Sequence, residues 1–416
     1  MNENKTNKKL YLILILGLLT AIGPLSIDMY LPAFPDIAKS LHTSVAQVTL
    51  SLSSFFIGIS AGQLLYGPLL ERFGRKKPLY VGLCLYLLAS IGCAFAASIN
   101  ALIALRLLQA LGGCVGMVAS RAMVRDLFDV KENAKIFSTL MLVVAVSPII
   151  APTLGGYITA VLGWHYVFVM LIIVGILMLT GVYFLLPETK KPDPGFSLKP
   201  LPILKSYAGV ITHPQFYTYA LTAAISAASI YAYIGGSPHV FMEIYKVNEK
   251  QYGWIFALIA MGLIGASQLN SVLLKNYTSE QIIRTALTCQ TIIGAAMVLI
   301  SFFGWGDLFI TIFFIFIFLC CQGFVFPNAS ALSLASFGHN AGSASALLGG
   351  IQMGIGAGTS ALVSLLQNNT ALPMTAVMAC CAISALSVFS LGRKIITQRA
   401  SIEKIEEEDV EMISTL

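Results

Sequence analysis

Long apolar segments alternate with short polar segments along the whole chain. A helix needs about 20 apolar residues to cross the hydrocarbon core of a bilayer. Twelve segments are long enough, and an even number of spans returns the chain to the side on which it began. The pattern predicts an all-α membrane protein whose twelve transmembrane helices cover residues 10–32, 46–67, 79–98, 100–121, 135–158, 164–186, 213–234, 251–273, 282–303, 307–327, 341–366 and 371–392.

The longest connection on the side of the termini, Pro187–Thr212, contains five prolines and separates two sets of six spans. Ser26–Tyr30 (SIDMY) in the first span resembles Ser229–Tyr233 (SIYAY) in the seventh, which favours two pseudo-symmetric halves. Carriers that rock between two states are built in this way, with the substrate site near the midplane. The predicted units are an N-terminal six-helix bundle over 1–187, a linker over 188–212, a C-terminal six-helix bundle over 213–392 and a tail over 393–416.

Charged residues make up only 11% of the sequence, whereas a soluble domain carries about 25%. Of the 25 Lys and Arg residues, 21 fall on the side of the termini and three (Lys39, Lys246 and Lys250) on the other side. Because basic residues collect in cytoplasmic loops, both termini are predicted to be cytoplasmic. The net charge of +6 is therefore no sign of nucleic-acid binding. The acidic run Glu403–Glu411 is predicted to be solvated, and the spacing of the eight cysteines indicates no metal or disulfide framework.

Two ionisable residues, Asp28 and Arg106, lie well inside the predicted spans. A carboxylate costs roughly 2.5–3.5 kcal/mol inside a membrane helix, so it needs a partner or a function. The helical rise puts Asp28 about 6 Å and Arg106 about 9 Å below the same surface, so the two charges are predicted to pair. Protonation of Asp28 would then respond to small movements of Arg106, as proton coupling requires. The alternative is a fixed ion pair that only holds the first and fourth spans together.

The loop between the second and third spans reads Gly67-Pro-Leu-Leu-Glu-Arg-Phe-Gly-Arg75-Lys-Lys. It is similar to the G-x-L-a-D-r-x-G-r-k loop of the major facilitator superfamily, with Glu71 where the family favours Asp. The glycines allow a tight turn, and the charges can cap helix ends and form a cluster that breaks as the halves rock. A basic loop that only fixes topology is the simpler alternative. The resemblance implies conformational gating by Gly67, Leu69, Glu71, Gly74 and Arg75.

Four further stretches resemble motifs of the same superfamily and narrow the resemblance to one of its branches. Arg106–Gly113 (RLLQALGG) looks like the family's R-x-x-q-G motif, which is associated with proton coupling. Ser147–Gly156 (SPIIAPTLGG) resembles the G-P-x-x-G-G motif of drug/proton antiporters and adds Pro152, Gly155 and Gly156 to the gating candidates. Asp28–Pro35 and Gly342–Gly349 resemble the Bcr/CflA drug-resistance branch, which includes bicyclomycin and phenicol exporters.

These resemblances imply the major facilitator fold and proton-coupled efflux of small amphipathic drugs by alternating access, with antibiotic resistance as the consequence. The alternative function is a proton-coupled or facilitated carrier of a small metabolite with the same fold. The expected proton-coupling residues are Asp28 and Arg106, and the substrate-binding candidates are Asp28, Tyr30, Arg106, Gln109, Tyr231, Tyr233 and Gln322.

The expected surroundings follow from the same sequence. The protein is predicted to lie in the bacterial inner (cytoplasmic) membrane as a multi-pass protein, with a small-molecule substrate, protons and the lipid bilayer as its partners. A monomer is the default expectation. No phosphate-binding loop, nucleophile–base pair or intramembrane acidic cluster is visible, so no enzyme activity, metal or cofactor is predicted and the proton gradient is the driving force.

Overall fold

The structure is a computed structural model that describes residues 2–128, 130–196, 198–337 and 341–414. Side chains before residue 11 and after residue 398 lie outside the described part, as do several beside the gaps. The side chains of the acidic run Glu403–Glu411 therefore lie outside it as well. The α-helices of the described ranges are α1 (Asn2–Asp28), α2 (Phe34–Ser40), α3 (Val45–Phe73), α4 (Lys76–Ala94), α5 (Ile99–Leu127), α6 (Val130–Leu162), α7 (His165–Phe184), α8 (Pro200–Ile211), α9 (Pro214–Pro238), α10 (Glu249–Leu273), α11 (Ser279–Phe303), α12 (Leu308–Leu334), α13 (Ala341–Leu366) and α14 (Leu372–Ser414).

Within the described residues, twelve spans are long and apolar enough to cross a membrane, which agrees with the predicted number. Helix α2 prolongs the first span, and α8 belongs to the linker between the sixth and seventh spans. Because the spans alternate in direction, the α3–α4 turn, α8 and both chain ends share one side, called here the termini side. The loops after α2, α4, α6, α11 and α13 share the opposite side, called here the far side.

Polar side chains mark where many spans begin. Ser44, Ser98 and Asp307 accept a hydrogen bond from the third main-chain N–H of α3, α5 and α12. Asn248 and Thr278 form reciprocal capping boxes at the starts of α10 and α11. These contacts satisfy N–H groups that have no partner inside the helix, which a membrane interface would otherwise leave costly.

The first span differs most from its prediction of one helix over 10–32. Helix α1 ends at Asp28, a 3₁₀ turn follows over Leu31–Ala33, and α2 runs from Phe34 to Ser40. Pro32 and Pro35 lack the N–H that would continue the α1 hydrogen-bond pattern. At the other end of the chain, α14 continues past the predicted limit of 392 to Ser414, since no Gly or Pro follows Gly392 within it.

Two six-span bundles pack side by side. Helices α1 and α3 to α7 contact one another in the N-terminal bundle, and α9 to α14 do so in the C-terminal bundle. The bundles meet mainly where α3 packs on α13 and α6 packs on α10. Hydroxyls join them: Ser364 donates to the Ala46 carbonyl (2.6 Å) and Thr49 to the Gly235 carbonyl (3.2 Å), both near the far side. Such contacts are typical of membrane helices that pack closely.

Candidate functional site

The end of α1 creates an unpaired carbonyl in the middle of the N-terminal bundle. Tyr30 would bond to the Ser26 carbonyl if the α-helix continued, but its N–H bonds to Ile27 instead (3.3 Å). The Ser26 carbonyl therefore lacks a main-chain donor, as is usual for the last turn of a helix. A buried carbonyl of this kind needs a donor from another element.

Arg106 of α5 supplies that donor. Its Nη2 donates to the Ser26 carbonyl (3.0 Å) and its Nη1 to Oε1 of Gln109 (2.6 Å). The guanidinium lies between the rings of Phe55 and Tyr30, with its carbon 4.1 and 4.4 Å from their centroids. A positive group at the carboxyl end of a helix and over aromatic faces is favourable electrostatically. The fully buried Arg106 thus stabilises the broken end of α1.

The predicted ion pair between Asp28 and Arg106 is wrong for this structure. Asp28 forms no hydrogen bond or ion pair with the residues described, and Arg106 bonds to Ser26 instead. Asp28 and Arg106 lie at similar depth, but Ser26 and Asp28 are separated by about 200° of rotation around the helix axis. Arg106 approaches α1 from the Ser26 side, so the Asp28 carboxylate faces away from it.

Tyr30 and Gln109 lie inside the N-terminal bundle around Arg106. Both are completely buried. The Tyr30 hydroxyl is 2.8 Å from Oγ of Ser51, and Nε2 of Gln109 donates to Oγ of Ser90 (2.8 Å). In this conformation they position Arg106, and their predicted contact with substrate remains a prediction.

Asp28 faces the C-terminal bundle. Asp28 is only 4% exposed, and Tyr231 and Tyr233 of α9 and Tyr252 of α10 lie within electrostatic range of its carboxyl group. The Tyr233 hydroxyl is buried without a partner among the described residues, and the Tyr252 hydroxyl is 2.8 Å from Oγ of Ser237. A carboxylate from one bundle and tyrosines from the other therefore meet at the junction of the halves.

Tyr231 is held on both sides of that junction. Its hydroxyl accepts a hydrogen bond from Nε2 of Gln352 (3.3 Å), and its ring packs edge-on against Phe56 of the N-terminal bundle, 4.7 Å between centroids. Gly356 lies against the ring so closely that an added Cβ would be 2.4 Å from it. Tyr231 thus contacts both α3 and α13 and also lies near Asp28.

Gln322 occupies in the C-terminal bundle the place that Gln109 occupies in the N-terminal one. Gln109 bonds to Ser90 of the third span, and Gln322 bonds to Gln290 of the ninth (3.3 Å) and to Ser226 of the seventh. This correspondence agrees with the predicted repeat. The C-terminal network is a helix-to-helix contact whose members Ser226, Gln290 and Gln322 carry no charge, whereas the N-terminal bundle buries Asp28 and Arg106.

The proline and glycines of α6 lie where three helices approach closely on the far side. An added Cβ on Gly155 would be 2.2 Å from the Met29 carbonyl oxygen at the end of α1, and one on Gly156 would be 2.4 Å from the Glu249 carbonyl oxygen of α10. The Pro152 carbonyl lies against Gly253 in the same way. Side chains here would keep the helices apart, so the motif provides a close contact between the halves. Its predicted gating role is untested.

The loop motif forms a charge cluster on the termini side. Arg75 donates to Glu71 (3.1 Å) and to Asp126 at the end of α5 (2.8 Å), and Lys190 pairs with Glu71. Glu188 accepts the main-chain N–H of Arg75 (2.7 Å) at the start of α4. Burial lowers the pKa of Arg75, but the hydrogen bond with Asp126 and the charge of Glu71 outweigh it and raise the pKa above its usual range. The cluster joins the ends of α3 and α5 and the start of α4 to the segment that follows α7.

The remaining predicted gating residues lie beside this cluster. Gly74 adopts φ +79°, a conformation that glycine tolerates best, and packs against the Lys190 carbonyl. Leu69 is partly buried, and an added Cβ on Gly67 would meet open space. Gly67 therefore lies at no close helix contact and borders a cavity instead.

That cavity has a volume of about 690 Å³ and lies on the termini side. Its walls come from α3, α5, the linker with α8, and the first turns of α13. The cavity thus separates the termini-side ends of α3 and α5 from the first turns of α13, while the halves are in close contact on the far side, as in a carrier open to one side of the membrane.

Sequence reasoning missed four residues of these two sites. Tyr252, Asp126, Glu188 and Lys190 were not among the candidates, although all four make contacts described above. Tyr252 lies near the far-side end of its span, at a depth similar to that of Asp28. Asp126 lies in the last turn of α5, and Glu188 follows the end of α7, both on the termini side. Depth and span ends were the available signals. Within the described residues, no group of three or more His, Cys, Asp or Glu is placed to hold a metal ion.

Comparisons with known proteins agree with this geometry. The family model of the Major Facilitator Superfamily matches residues 16–361. The chain is 35% identical to an uncharacterized MFS-type transporter, YdgK, of Bacillus subtilis over 96% of this chain and 100% of the relative. It is 32% identical to a bicyclomycin resistance protein homolog of Haemophilus influenzae, over the same shares of the two chains.

A chloramphenicol resistance protein of Pseudomonas aeruginosa is 28% identical over 87% of this chain and 86% of the relative. The solved structure of a D-xylose-proton symporter superposes with a TM-score of 0.72 at 13% identity, over 91% of this chain and 97% of that one, which concerns the fold alone. The chain belongs to the Major Facilitator Superfamily and is a multi-pass protein of the inner membrane.

Proposed function

We propose that this member of the Major Facilitator Superfamily exports small amphipathic drugs across the inner membrane in exchange for protons. The names of its relatives, which include resistance proteins for bicyclomycin and chloramphenicol, support drug efflux. The position of Asp28 supports the coupling to protons.

The Asp28 carboxylate carries the proposal. It is buried in a membrane span, and the described residues provide it with no hydrogen bond or ion pair. Carboxylates held in fixed ion pairs have little freedom to bind a proton, whereas an unpaired one in this setting is costly when ionised. Asp28 is therefore available either to a proton or to a polar group of a substrate, which is the competition that antiport requires.

The junction with the C-terminal bundle links that competition to movement. Tyr231, Tyr233 and Tyr252 belong to α9 and α10, which carry parts of the contact between the halves. A change in charge at Asp28 alters its interaction with these tyrosines and so favours one arrangement of the bundles over the other. Arg106 acts indirectly, because it fixes the end of α1 from which Asp28 projects.

The cycle then follows from the cavity on the termini side. The excess of basic residues on that side supports a cytoplasmic location for the termini. A drug enters the cavity from the cytoplasm and reaches the junction while Asp28 is ionised. After the halves rock, a proton from outside binds Asp28, the drug leaves, and the protonated carrier returns.

Everted membrane vesicles test this proposal. With an acidified lumen and a pH-quenched dye, addition of chloramphenicol or bicyclomycin should release protons and restore fluorescence in the wild type. Asp28→Asn should abolish the recovery. Asp307→Asn is the control, because Asp307 is an exposed carboxylate at the far-side start of α12 whose capping role Asn can also fill, and it should behave as wild type. Full recovery in Asp28→Asn would refute the coupling role.

A further inference from the structure

The termini-side cavity contains two arginines that have no partner among the described residues. Arg121 and Arg125 stand one turn apart at the end of α5, and both line the cavity. Residues four apart on a helix share a face. Among the residues that the structure describes, none gives either guanidinium a hydrogen bond or an ion pair, and both side chains are exposed to the cavity.

The other charges of the wall offset each other. Glu71 and Arg75 are paired at 3.1 Å, and Asp126 and Lys190 complete that cluster. Arg121 and Arg125 therefore remain as two positive charges directed at the same space. A cavity with walls of low dielectric strengthens the field of such charges compared with an open surface.

The rest of the wall is suited to an amphipathic molecule. Leu70, Val118 and Phe196 supply apolar surface, and Gly342 and Ser345 belong to the first turns of α13. An added Cβ on Gly342 would meet nothing within 4 Å, so the main chain of that turn is open to an approaching ligand. The volume of about 690 Å³ falls within the range of small-molecule sites, about 300–1,000 Å³.

We propose that this cavity is a first binding site for amphipathic compounds that carry an acidic group, with Arg121 and Arg125 binding the carboxylate, sulfonate or phosphate. The inference rests on the proposed function, since it assigns a substrate class to the same route. Arg121 is fifteen residues from Arg106, or about 22 Å of helix rise, so the site is separate from the junction at Asp28. An acidic group of a compound bound in the cavity is therefore not opposed by the Asp28 carboxylate.

The experiment compares two dyes that share an apolar body. Anilinonaphthalene sulfonate carries the acidic group and phenylnaphthylamine lacks it. Binding of each to the purified full-length protein is measured by fluorescence in phosphatidylcholine nanodiscs, with empty nanodiscs subtracted. The variants are Arg121→Gln/Arg125→Gln and, as the control, Arg284→Gln, which removes an exposed arginine of α11 that does not line this cavity.

The double variant should bind the sulfonate about tenfold more weakly and the amine unchanged, and Arg284→Gln should bind both as wild type does. Added salt should weaken sulfonate binding to the wild type more than to the double variant. Unchanged amine binding shows that the variant is folded. Equal sulfonate binding in all three proteins would overturn the proposal, as would loss of sulfonate binding when phosphatidylglycerol replaces part of the phosphatidylcholine, because the arginines would then hold a lipid headgroup.

Asp28→Asn separates this inference from the proposed function. The variant should bind the sulfonate as wild type does, whether or not it exchanges protons for drugs. Failure of proton exchange therefore leaves the cavity test intact, and failure of the cavity test leaves the proton exchange test intact.

Discussion

Replacing Gly156 by alanine is expected to separate the two halves on the far side. A Cβ at this position would lie 2.4 Å from the Glu249 carbonyl oxygen and 3.0 Å from the carbonyl carbon, whereas ordinary contact begins at 3.4 Å. Helices α6 and α10 must therefore move apart by about 1 Å. The obstacle is main chain, which cannot rotate away as a side chain could.

The cost of this clash sets the size of the effect. Over-packing by one methyl group costs about 1–3 kcal/mol when the surroundings cannot yield. The cost applies only while α6 and α10 touch, so it destabilises the conformation closed on the far side. A free-energy change of that size corresponds to about a 5–150-fold shift in the ratio of the two conformations.

Cysteine labelling measures the shift. Ser360 is completely buried and bonds to Ser53 across the halves (3.1 Å), so Ser360→Cys in a cysteine-free protein should react with an impermeant maleimide only when the far side opens. Gly156→Ala should raise the labelling rate from the far side about 5–150-fold. Gly265→Ala is the control. Gly265 lies on α10, the helix that Gly156 contacts, and its added Cβ would meet nothing within 4 Å.

Equal labelling rates in Gly156→Ala, Gly265→Ala and the parent protein would refute this reasoning, since the far-side contact would then not restrain opening. An equal increase in both glycine variants would also contradict it, because the cause would be a general loosening of the helices.

Three further expectations concern polar contacts within the bundles. Arg106→Lys should cost about 1.5–3 kcal/mol of stability, measured by thermal unfolding in detergent, because an ammonium group lacks the planar fork that binds the Ser26 carbonyl and a second acceptor; an unchanged melting temperature would contradict this. Glu188→Gln should cost about 1 kcal/mol in the same assay through the loss of the charged cap on α4, and equal stability would show that the cap contributes nothing. Gln322→Leu should cost about 0.6–2 kcal/mol through its lost bond with Gln290 yet keep proton exchange, and loss of exchange at normal stability would instead place Gln322 in the coupling machinery.

The membrane spans are the part of the fold that the sequence predicts most fully. Apolar length alone predicts the number of spans, because a bilayer imposes it on any helix that crosses. The break at the end of α1 was missed because Met29–Leu31 continues the apolar pattern and the two prolines follow only after it. A hydropathy profile shows which segments lie in the membrane, but it does not show where a helix ends within such a segment.

The sequence predicts the depth of the site residues in the membrane but not which of them are in contact. Asp28 and Arg106 do lie at similar depth, yet their contact depends on rotation around the helix axes and on the free carbonyl of Ser26. The meeting of Asp28 with Tyr252 depends on how two bundles pack, and no local pattern in the sequence encodes that arrangement. Tyr231 and Tyr233 could be found because the internal repeat aligns them with the first span.

The most direct test of the central claim uses proteoliposomes that contain wild type or Asp28→Asn. Two processes are compared: exchange of labelled for unlabelled chloramphenicol without a pH gradient, and accumulation of the drug against its gradient when a pH gradient is imposed. Asp28→Asn should lose the accumulation, because its side chain neither binds nor releases a proton, and any exchange that it retains should be independent of pH. Accumulation by Asp28→Asn at the wild-type rate would show that protons are coupled elsewhere in the molecule.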